Sequence, residues 1–295
     1  MNINSHNLEG RRAIITGASH GIGYEIAQAF VKAGVSVCVC ARDRNDLASA
    51  AERLQAMAGS SQRVVVEAGD VSQEADVARI VATAAGAFDG CIDILVSNAG
   101  IYGPKGLTEE LSWAEWVRTI EINVFGSVLM ARAVLPFMKQ AQYGKIIQLS
   151  GGGATQPMPR FTAYATSKAA IVRFTESLAG EVASEGIDVN AVAPGALNTR
   201  FLEEVLAAGP EKVGSAYYNR SLEQKGNGGA PFERPVALSL FLASAASDGI
   251  TGKLISAQWD NWESFPDHSD ELTSSDVYTI RRIIGKDRGL AWGDK

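Results

Sequence analysis

The sequence predicts an α/β fold, a single domain in which helices cover both faces of a seven-stranded parallel sheet. Short apolar runs alternate with longer amphipathic stretches, a pattern typical of strands joined by helical crossovers. The first apolar run leads through a glycine-rich turn directly into a helical pattern. Composition agrees with this fold class, because 46% of the 295 residues are hydrophobic, enough to form one large core.

Seven apolar runs are the candidate strands. In chain order they cover residues 13–16, 35–40, 63–67, 92–97, 145–149, 188–192 and 253–256. Parallel strands end at a common edge of the sheet, and ligands of such folds bind beyond the carboxyl ends of the strands. The residues that lie at these ends are therefore candidates for one shared crevice: Gly17, Asp70, Asn98, Ser150 and Pro194.

The turn after the first strand has the spacing Gly17-x-x-x-Gly21-x-Gly23. This spacing is a variant of the dinucleotide fingerprint. One glycine permits the tight turn, another admits a pyrophosphate close to the backbone, and the last lets the helix approach the strand. The N–H groups that begin the helix would face the phosphates. An ordinary glycine turn is the alternative, but the strand-to-helix setting favours a cofactor.

Tyr164 and Lys168 stand four residues apart in a stretch with a helical pattern, so a phenol and an ammonium lie on one helix face. A phenol with a pKa near ~10 is inert at neutral pH, whereas a fixed cation beside it stabilises its anion and makes proton transfer accessible. The pair is therefore a candidate for acid–base catalysis. The alternative is a packed tyrosine beside a solvated lysine.

Charge and hydropathy argue against two classes of partner. The net charge of −6 argues against a nucleic-acid-binding surface. No apolar run reaches the ~18 residues that a membrane span requires, and residues 1–7 lack the apolar core of a signal peptide. We therefore expect a soluble, cytoplasmic protein whose partner is a small molecule and neither nucleic acid nor membrane.

Neither a disulfide framework nor a metal site is predicted. Cys38 and Cys40 alternate within a candidate strand and Cys91 precedes another, so all three are expected to be small core residues. The three histidines form no spaced cluster with cysteines or carboxylates, which leaves a catalytic metal without ligands. They are His6, His20 and His268.

Five motifs occur in a fixed order: Gly17-x-x-x-Gly21-x-Gly23, Ser97-Asn98-Ala99-Gly100, Asn123, Tyr164-x-x-x-Lys168 and Pro194-Gly195. Because of this order and these separations, residues 8–256 resemble the short-chain dehydrogenase/reductase family. The glycine spacing is similar to that of the shorter, simple-reductase branch. The resemblance implies a Rossmann-like, doubly wound domain over residues 1–256 and an NAD(P)-dependent enzyme that acts on alcohol or carbonyl groups.

The resemblance also implies how the cofactor is chosen. The junction after the second strand, Ala41-Arg42, should meet the adenosine ribose, where an acidic residue would favour NAD. Alanine removes that carboxylate, and Arg42 offers a planar donor pair suited to a 2′-phosphate, with His20 as a second basic group. We therefore expect NADP(H) to be preferred over NAD(H). The alternative is that Arg42 is a solvated loop charge.

The cofactor contacts implied by the resemblance follow the motifs along the chain. Asp70 resembles the family's adenine-contacting acid, Asn98 to Gly100 its adenine-ribose wall, and Thr199 the hydroxyl beside the carboxamide. The full implied set is Gly17, Ser19, His20, Gly21, Ile22, Gly23, Arg42, Asp70, Val71, Asn98, Ala99, Gly100, Tyr164, Lys168, Pro194, Gly195, Leu197 and Thr199.

The implied reaction is hydride transfer between the nicotinamide ring and a carbonyl or alcohol carbon of a small polar, sugar-like substrate. Tyr164 would donate the proton in reduction. Lys168 would lower the pKa of that tyrosine and hold the nicotinamide ribose. Asn123 resembles the residue that positions a water for proton relay, and its alternative role is an amide at a helix kink or cap.

One position departs from the family. A serine thirteen residues before the tyrosine donates a hydrogen bond to the substrate oxygen in the family, and this chain has Gly151 there. Ser150 could replace it after a shift of one residue, Thr155 is another candidate, and backbone N–H groups of the glycine run are a third. Losing the donor also leaves a second function possible, a cofactor-binding protein with little or no catalysis.

Two segments complete the predicted organisation. Residues 199–232 are expected to form a lid over the substrate, with a variable surface loop as the alternative. Residues 257–295 form a tail that we expect to be ordered, with a helix over residues 275–284, where apolar residues recur at helical spacing. The tail is expected either to cover a neighbouring subunit's site or to pack on its own domain, in a homo-oligomer that is a tetramer or a dimer.

Overall fold

A computed structural model describes residues 8–290 and residue 292; the predicted polar start at residues 1–7, including His6, and the last residues of the tail lie outside this range. The sheet contains seven strands, as predicted from the sequence, and each lies within two residues of its predicted bounds. The strands are β1 (Arg12–Thr16), β2 (Ser36–Ala41), β3 (Val64–Ala68), β4 (Ile94–Ser97), β5 (Gly144–Leu149), β6 (Ile187–Ala193) and β7 (Leu254–Ser256).

Helices fill most of the intervals between the strands. They are α1 (Gly21–Lys32), α2 (Arg44–Gln55), α3 (Glu74–Ala87), α4 (Trp113–Ile120), α5 (Gly126–Ala141), α6 (Thr162–Glu181), α7 (Arg200–Val213), α8 (Ser215–Gly226), α9 (Glu233–Ala243) and α10 (Ser269–Ser274). A five-residue π-helical turn, Glu121–Phe125, joins α4 to α5.

The order of the strands creates the crevice. The sheet runs β3-β2-β1-β4-β5-β6-β7, and every pairing is parallel. Strands β2 and β3 therefore lie on one side of β1, and the chain then crosses over so that β4 pairs with β1 on its other side. In such sheets the crossovers on the two sides of this switch point diverge, and a ligand crevice opens at the carboxyl ends of the strands.

Alternate residues of each strand point into two different helical layers. Ile15, Val39 and Ile147 face one layer, whereas their neighbours Ile14 and Ile146 face the other. The strands therefore read as continuous apolar runs, because both faces of the sheet are buried.

Cys38 and Cys40 belong to the buried sheet, as predicted, whereas Cys91 is only partly buried, so its assignment to the core was wrong; all three are free thiols. Burial, which disfavours the thiolate, raises the pKa of Cys38 well above its usual range and that of Cys40 to about 12. Both residues are therefore small, unreactive parts of the core.

The sequence contains no apolar run of ~18 residues, but one helical stretch of the fold has the length and mean composition of a membrane span. The continuous helical stretch Trp113–Ala141 is long and apolar enough by those two measures alone. Its inward side chains, among them Met130, Val134 and Met138, pack in the layer beneath the sheet. Core helices of folded domains pass the same test of length and composition.

The segment expected to form a lid is largely helical. It consists of α7 and α8, and α7 contains a kink at Gly209, whose φ of 76° is followed by Pro210. The backbone between the two helices turns at Gly214, with a φ of 84°. The predicted glycine-rich run follows α8 and includes Gly228 and Gly229, both with positive φ.

The helix predicted over residues 275–284 is wrong. The backbone reverses at Tyr278, whose φ is 59°, and the N–H of Leu254 in β7 donates to the Tyr278 carbonyl at 2.7 Å. The Lys253 ammonium donates to the carbonyls of Ser275 and Val277 at 3.3 and 3.1 Å. The segment thus satisfies its backbone groups against the edge of the sheet instead of within a helix.

The described part of the tail packs on its own domain, one of the two arrangements considered from the sequence. Trp262, Phe265 and Leu272 join the core layer beside β1 and β2, and Trp262 contacts Phe241 with ring centroids 5.6 Å apart. Ile280 packs against a smaller cluster around Leu254 of β7. The tail is therefore part of the fold of this chain.

The tail's two neighbouring tryptophans give a test of this packing. Trp262 is 1% exposed and Trp259 is 87% exposed. We expect Trp262→Ala to lower the free energy of unfolding by about 3–5 kcal/mol, because it leaves a cavity in the core. Trp259→Ala is the control and should change it by less than about 0.5 kcal/mol. Urea unfolding followed by circular dichroism measures both, and equal losses would contradict the packing of the tail.

Candidate active site

One large cavity, of about 1670 Å³, lies at the carboxyl ends of the strands. This volume exceeds the ~300–1,000 Å³ of ordinary small-molecule sites and has room for a dinucleotide together with a substrate. Of the residues predicted to form the site, all but Gly23 and Asn123 line it. The lining members are Gly17, Ser19, His20, Gly21, Ile22, Arg42, Asp70, Val71, Asn98, Ala99, Gly100, Ser150, Tyr164, Lys168, Pro194, Gly195, Leu197 and Thr199.

The three glycines of the first turn have different structural roles. A Cβ on Gly17 would lie 2.9 Å from the Ala99 Cα, and a Cβ on Gly23 would collide with the side chain of Asn98. These two glycines therefore permit close packing of the turn against the end of β4. Of the three, only Gly21, with a φ of 59°, faces open space in the cavity. A Cβ added there would have a Thr199 methyl at 4.0 Å as its nearest neighbour.

The side chain of Asn98 is hydrogen-bonded to this turn. Its side-chain amide donates to the carbonyls of Thr16 and Gly17 at 2.9 and 3.0 Å. The side chain therefore holds the turn's backbone, a role that the resemblance to a ribose wall did not predict. Helix α1 begins beyond the turn without a side-chain cap, so its first N–H groups remain for a ligand. This uncapped terminus above a glycine surface fits a pyrophosphate.

Arg42 follows β2 and is exposed at the rim of the cavity. No ion pair among the described residues includes Arg42. The adjacent acid, Asp43, caps α2 by accepting the N–H groups of Asn45 and Asp46, both at 2.9 Å. The guanidinium is therefore available to an anionic ligand at this end of the cavity.

The surroundings of His20 disfavour the charged form of its imidazole, and its role as a second basic group stays a prediction. Its Nδ1 lies 2.8 Å from the Ser19 hydroxyl. Burial and the nearby charge of Arg200 lower the pKa of His20 below its ordinary 6.5, against a smaller opposing influence of Asp46. The imidazole is thus mainly neutral at pH 7 and contributes hydrogen bonds, not charge.

Asp70 is held by residues that sequence reasoning missed. Its carboxylate accepts the N–H and the hydroxyl of Ser72 at 3.0 and 2.7 Å and forms an ion pair with Arg118 of α4. Burial by itself would raise the pKa of Asp70, but these hydrogen bonds and the Arg118 charge bring it below its ordinary value. Arg118 lies far away in sequence, and no local signal identifies it as a partner.

Tyr164 and Lys168 meet on the buried face of α6. The Lys168 ammonium lies 5.6 Å from the centre of the Tyr164 ring and donates to the Leu149 carbonyl at 2.8 Å. Burial lowers the pKa of Lys168 to about 8. Burial also raises the pKa of Tyr164 well above 10, with a further contribution from Tyr217. Burial thus decides the direction of the Tyr164 pKa in this structure, and the expected lowering by Lys168 stays a prediction.

Asn123 lies in the π-helical turn and outside the cavity lining. Its side-chain oxygen accepts the Ile101 N–H at 2.8 Å, and its amide donates to the Ile101 carbonyl and the Ser167 hydroxyl, both at 2.9 Å. These bonds tie the segment after β4 to α6, the element that carries Tyr164. The side chain matches the kink amide considered from the sequence, and π-turns of this kind often mark functional sites.

The structure does not bring Ser150 to the position left by Gly151. The Ser150 hydroxyl is buried and donates to the Lys168 carbonyl at 3.3 Å. A Cβ placed on Gly151 would instead lie 2.9 Å from the Tyr164 hydroxyl oxygen. The Gly151 position therefore faces the Tyr164 phenol, and the shift of one residue considered from the sequence does not occur.

An aromatic cluster surrounds Tyr164. The ring of Tyr102 lies 4.5 Å from that of Tyr164 and 4.6 Å from that of Phe201, and the Phe161 ring lies 4.8 Å from that of Tyr217 of α8 in a tilted arrangement. Sequence reasoning placed Phe201 and Tyr217 in the lid but missed Tyr102 and Phe161. Tyr102 follows β4 within the segment that ends at the crevice, and this position was the available signal.

The tail and the lid complete the wall around Pro194 and Gly195. The Gln258 amide donates to the Pro194 carbonyl at 3.1 Å, and Gly195, with a φ of 96°, has no room for a Cβ beside Gln258. Thr199 caps α7 by accepting the N–H of Phe201 at 3.3 Å. Gln258 of the tail therefore supports the loop expected to meet the carboxamide.

Within residues 8–290 and at 292, no group of three or more histidines, cysteines and carboxylates is arranged to hold a metal ion. The chemistry of this site is thus considered from its tyrosines, its lysine and the dinucleotide that its glycine turn fits.

Comparison with known proteins gives one family and several enzymes. A family model described as short chain dehydrogenase matches residues 11–208. A galactitol 2-dehydrogenase from Rhizobium johnstonii is 35% identical over 254 residues, which cover 84% of this chain and 93% of that protein.

Two solved structures share the fold and contain different cofactors. A gluconate 5-dehydrogenase from Burkholderia cenocepacia J2315, in complex with NADP and tartrate, has a TM-score of 0.74 at 27% identity and covers 87% of this chain and 96% of that one. An NAD+-bound xylitol dehydrogenase has a TM-score of 0.77 at 25% identity and covers 84% of this chain and 97% of that one.

The lowered pKa of the buried Lys168 makes the free energy of unfolding depend on pH. The pKa of Lys168 falls from 10.5 to about 8 on folding, so between these values the unfolded chain holds a proton that the folded protein has released. Stability should therefore rise with pH from about 8 to about 10, whereas below pH 8 the cost of burying the charged lysine is constant and adds no pH dependence. Above about pH 10 the raised pKa of Tyr164 acts in the opposite direction, because the unfolded phenol ionises first.

Unfolding free energies across this range measure the effect. We expect the rise to be absent in Lys168→Met and retained in Lys32→Met, a matched change at an exposed lysine of α1. Identical pH profiles for the wild type and Lys168→Met would contradict the burial of this ammonium group.

Proposed function

Because the chain belongs to the short-chain dehydrogenase/reductase family, we propose that it is an NADP(H)-dependent oxidoreductase acting on a small, polar, sugar-like substrate. It transfers hydride between the nicotinamide and a carbonyl or alcohol carbon. The observation that supports this most is the buried pair of Tyr164 and Lys168, which lines the same cavity as the glycine turn.

In the direction of reduction, Tyr164 gives its proton to the carbonyl oxygen. Its raised pKa keeps the phenol protonated at neutral pH and therefore able to donate. When bound, the nicotinamide supplies or accepts the hydride. Lys168, whose ammonium donates to the Leu149 carbonyl, has two further N–H groups that would hold the ribose hydroxyls of the cofactor.

The preference for NADP(H) rests on the end of β2. Ala41 offers no carboxylate to a 2′-hydroxyl, and the exposed Arg42 beside it can pair with a 2′-phosphate through two parallel hydrogen bonds. The neighbouring Asp43 is committed to capping α2. One similar structure contains NADP and another NAD+, so the family accommodates both cofactors and the choice depends on this junction.

The proposed substrate class rests on similar enzymes and on the polar part of the cavity wall. The similar proteins are named for galactitol, gluconate and xylitol. Gln156, Arg160 and Arg220 line the cavity and offer donors to hydroxyl or carboxylate groups. A panel of sugar alcohols, ketoses and sugar acids, with aromatic ketones for comparison, tests this class through the absorbance of the reduced cofactor.

A second function is favoured by Gly151, which provides no hydroxyl to a substrate oxygen. On this alternative the protein binds the dinucleotide but turns over little or no substrate. NADPH binding measured by fluorescence, without turnover anywhere in the panel, would favour the alternative. Binding together with turnover would favour the enzyme.

Assembly and location remain predictions. We propose a homo-oligomer, a tetramer or a dimer, in the cytoplasm. Light scattering of the purified full chain measures the assembly, and a monomeric mass would contradict it.

Arg42 provides the test of cofactor choice. We expect Arg42→Ala to raise the KM for NADPH by about tenfold to hundredfold, the effect of losing charge-assisted hydrogen bonds to a phosphate, and to leave the KM for NADH nearly unchanged. Arg44→Ala is the matched control, because Arg44 begins α2 and does not line the cavity. Equal effects of Arg42→Ala on both cofactors would contradict the proposed phosphate contact.

Ser150→Ala tests whether the neighbouring hydroxyl replaces the missing serine. The Ser150 hydroxyl faces the α6 backbone, so we expect kcat to stay within about threefold of wild type, while stability falls by ~1 kcal/mol through loss of one hydrogen bond. A fall in kcat of about a hundredfold, typical of a lost oxyanion donor, would show instead that this serine serves the substrate.

A further inference from the structure

The diphosphate of a dinucleotide brings a negative charge on each phosphate group into the cavity, and the wall of the cavity has to compensate these charges. Hydrogen bonds from backbone N–H groups bind phosphates, but a cation beside them binds more strongly. Among the described residues that line the cavity, the basic side chains are His20, Arg42, Arg160, Lys168, Arg200 and Arg220.

Three of these groups contact other parts of the cavity wall. The Lys168 ammonium donates to the carbonyl of Leu149 at the end of β5, at 2.8 Å. Arg160 donates to the Glu211 carbonyl at the far end of α7, also at 2.8 Å. Arg220 lies on α8, with its guanidinium 5.7 Å from the centre of a tyrosine ring of the same helix. These contacts place the three groups on β5, on α8 and at the far end of α7.

Two further basic groups lie at the nucleotide end of the cavity. Arg42 follows β2, where a 2′-phosphate is expected. His20 immediately precedes α1, but its lowered pKa leaves the imidazole mainly neutral at pH 7. The start of α1 therefore offers hydrogen bonds to a diphosphate but little positive charge.

Arg200, the first residue of α7, faces this turn across the cavity. A methyl group of the preceding Thr199 is the nearest neighbour of a Cβ placed on Gly21, at 4.0 Å. Consecutive Cα atoms are only ~3.8 Å apart, so Arg200 lies next to the same contact. Its side chain is exposed and lines the cavity. The influence of its charge on the pKa of His20 agrees with this proximity.

The guanidinium of Arg200 has no carboxylate partner in the described part of the chain, since none of the ion pairs found there includes it. Two acids of the cavity lining have other roles, because Asp43 caps α2 and Asp70 pairs with Arg118. An exposed cation beside a phosphate-binding turn is therefore available to an anionic ligand.

We propose, on the basis of the proposed function, that Arg200 is a cofactor-binding residue that pairs with the diphosphate from the side of the lid, while the N–H groups of α1 bind it from the glycine turn. The guanidinium supplies the charge that the turn lacks, and its planar fork matches phosphate oxygens. Arg42 and Arg200 therefore recognise different phosphates: Arg42 the 2′-phosphate that distinguishes NADP from NAD, and Arg200 the diphosphate that both cofactors share.

This contact would join the lid to the floor of the cavity. Phe201 follows Arg200 on α7, and its ring lies 4.6 Å from that of Tyr102 and 6.3 Å from that of Tyr164. The first turn of α7 thus reaches both the nucleotide and the site of proton transfer. Because the dinucleotide contacts α7 in this position of the lid, its binding stabilises this position.

Binding of nucleotides to the full chain, measured by calorimetry, tests the role of Arg200 without turnover. We expect Arg200→Ala to raise the Kd of NADPH, NADH and ADP-ribose by about tenfold to hundredfold, the effect of losing charge-assisted hydrogen bonds to a phosphate. Adenosine 2′-monophosphate contains no diphosphate, so its Kd should change by less than about threefold. Arg200→Lys keeps the charge but not the fork and should recover part of the loss.

Two other variants control for charge. Arg42→Ala should show the complementary pattern, with weaker binding of NADPH and adenosine 2′-monophosphate and nearly unchanged binding of NADH and ADP-ribose. Lys212→Ala is the matched control, because it removes one positive charge from the exposed far end of α7, outside the lining of the main cavity. It should leave every Kd within about threefold of wild type.

The outcomes separate this inference from the proposed function. An unchanged Kd of ADP-ribose in Arg200→Ala would overturn the inference, and so would an equal loss for adenosine 2′-monophosphate or an effect confined to the KM of the substrate. A wild type that binds ADP-ribose through Arg200 but turns over nothing in the panel would overturn the proposed reaction and leave the diphosphate contact standing. A wild type that binds none of the nucleotides would overturn both. Unchanged melting temperatures verify that each variant is folded.

Discussion

Removal of Tyr164 and Lys168 from water is the constraint on which the site depends. Both side chains lie on the inner face of α6, and burial shifts the pKa of each toward its neutral form. The phenol therefore keeps the proton that reduction requires, and the lysine is only weakly held in its charged state. In such a dry environment each hydrogen bond and each nearby charge acts more strongly than in water, so the placement of every donor matters.

The segments that line the cavity are held in place by side chains from distant parts of the chain. Asn123 joins the segment after β4 to α6, Asn98 holds the glycine turn, and Gln258 of the tail holds Pro194. Each support joins the backbone of a cavity-lining segment to another element. Hydrogen bonds thus hold the floor of the cavity at the carboxyl ends of the strands, while α7 and α8 form a wall whose bends lie at glycines with positive φ.

Gly151, which stands where the resemblance predicted a serine, lacks the whole side chain, and this absence fits the surroundings of Tyr164. The absent Cβ leaves the Tyr164 oxygen unobstructed, and the aromatic cluster from the segment after β4 and from the lid fills the space around it.

The sequence alone determined the strands, the glycine turn and the Tyr164–Lys168 pair, because each depends on periodicity or spacing within a few residues. Only the tertiary structure decided the partner of Asp70, the orientation of Ser150 and the extended path of residues 275–284. Each of these depends on an atom from a distant segment: Arg118, the α6 backbone and the edge of β7. Spacing along a chain does not encode such long-range contacts, and the pKa of a buried group follows from them as well.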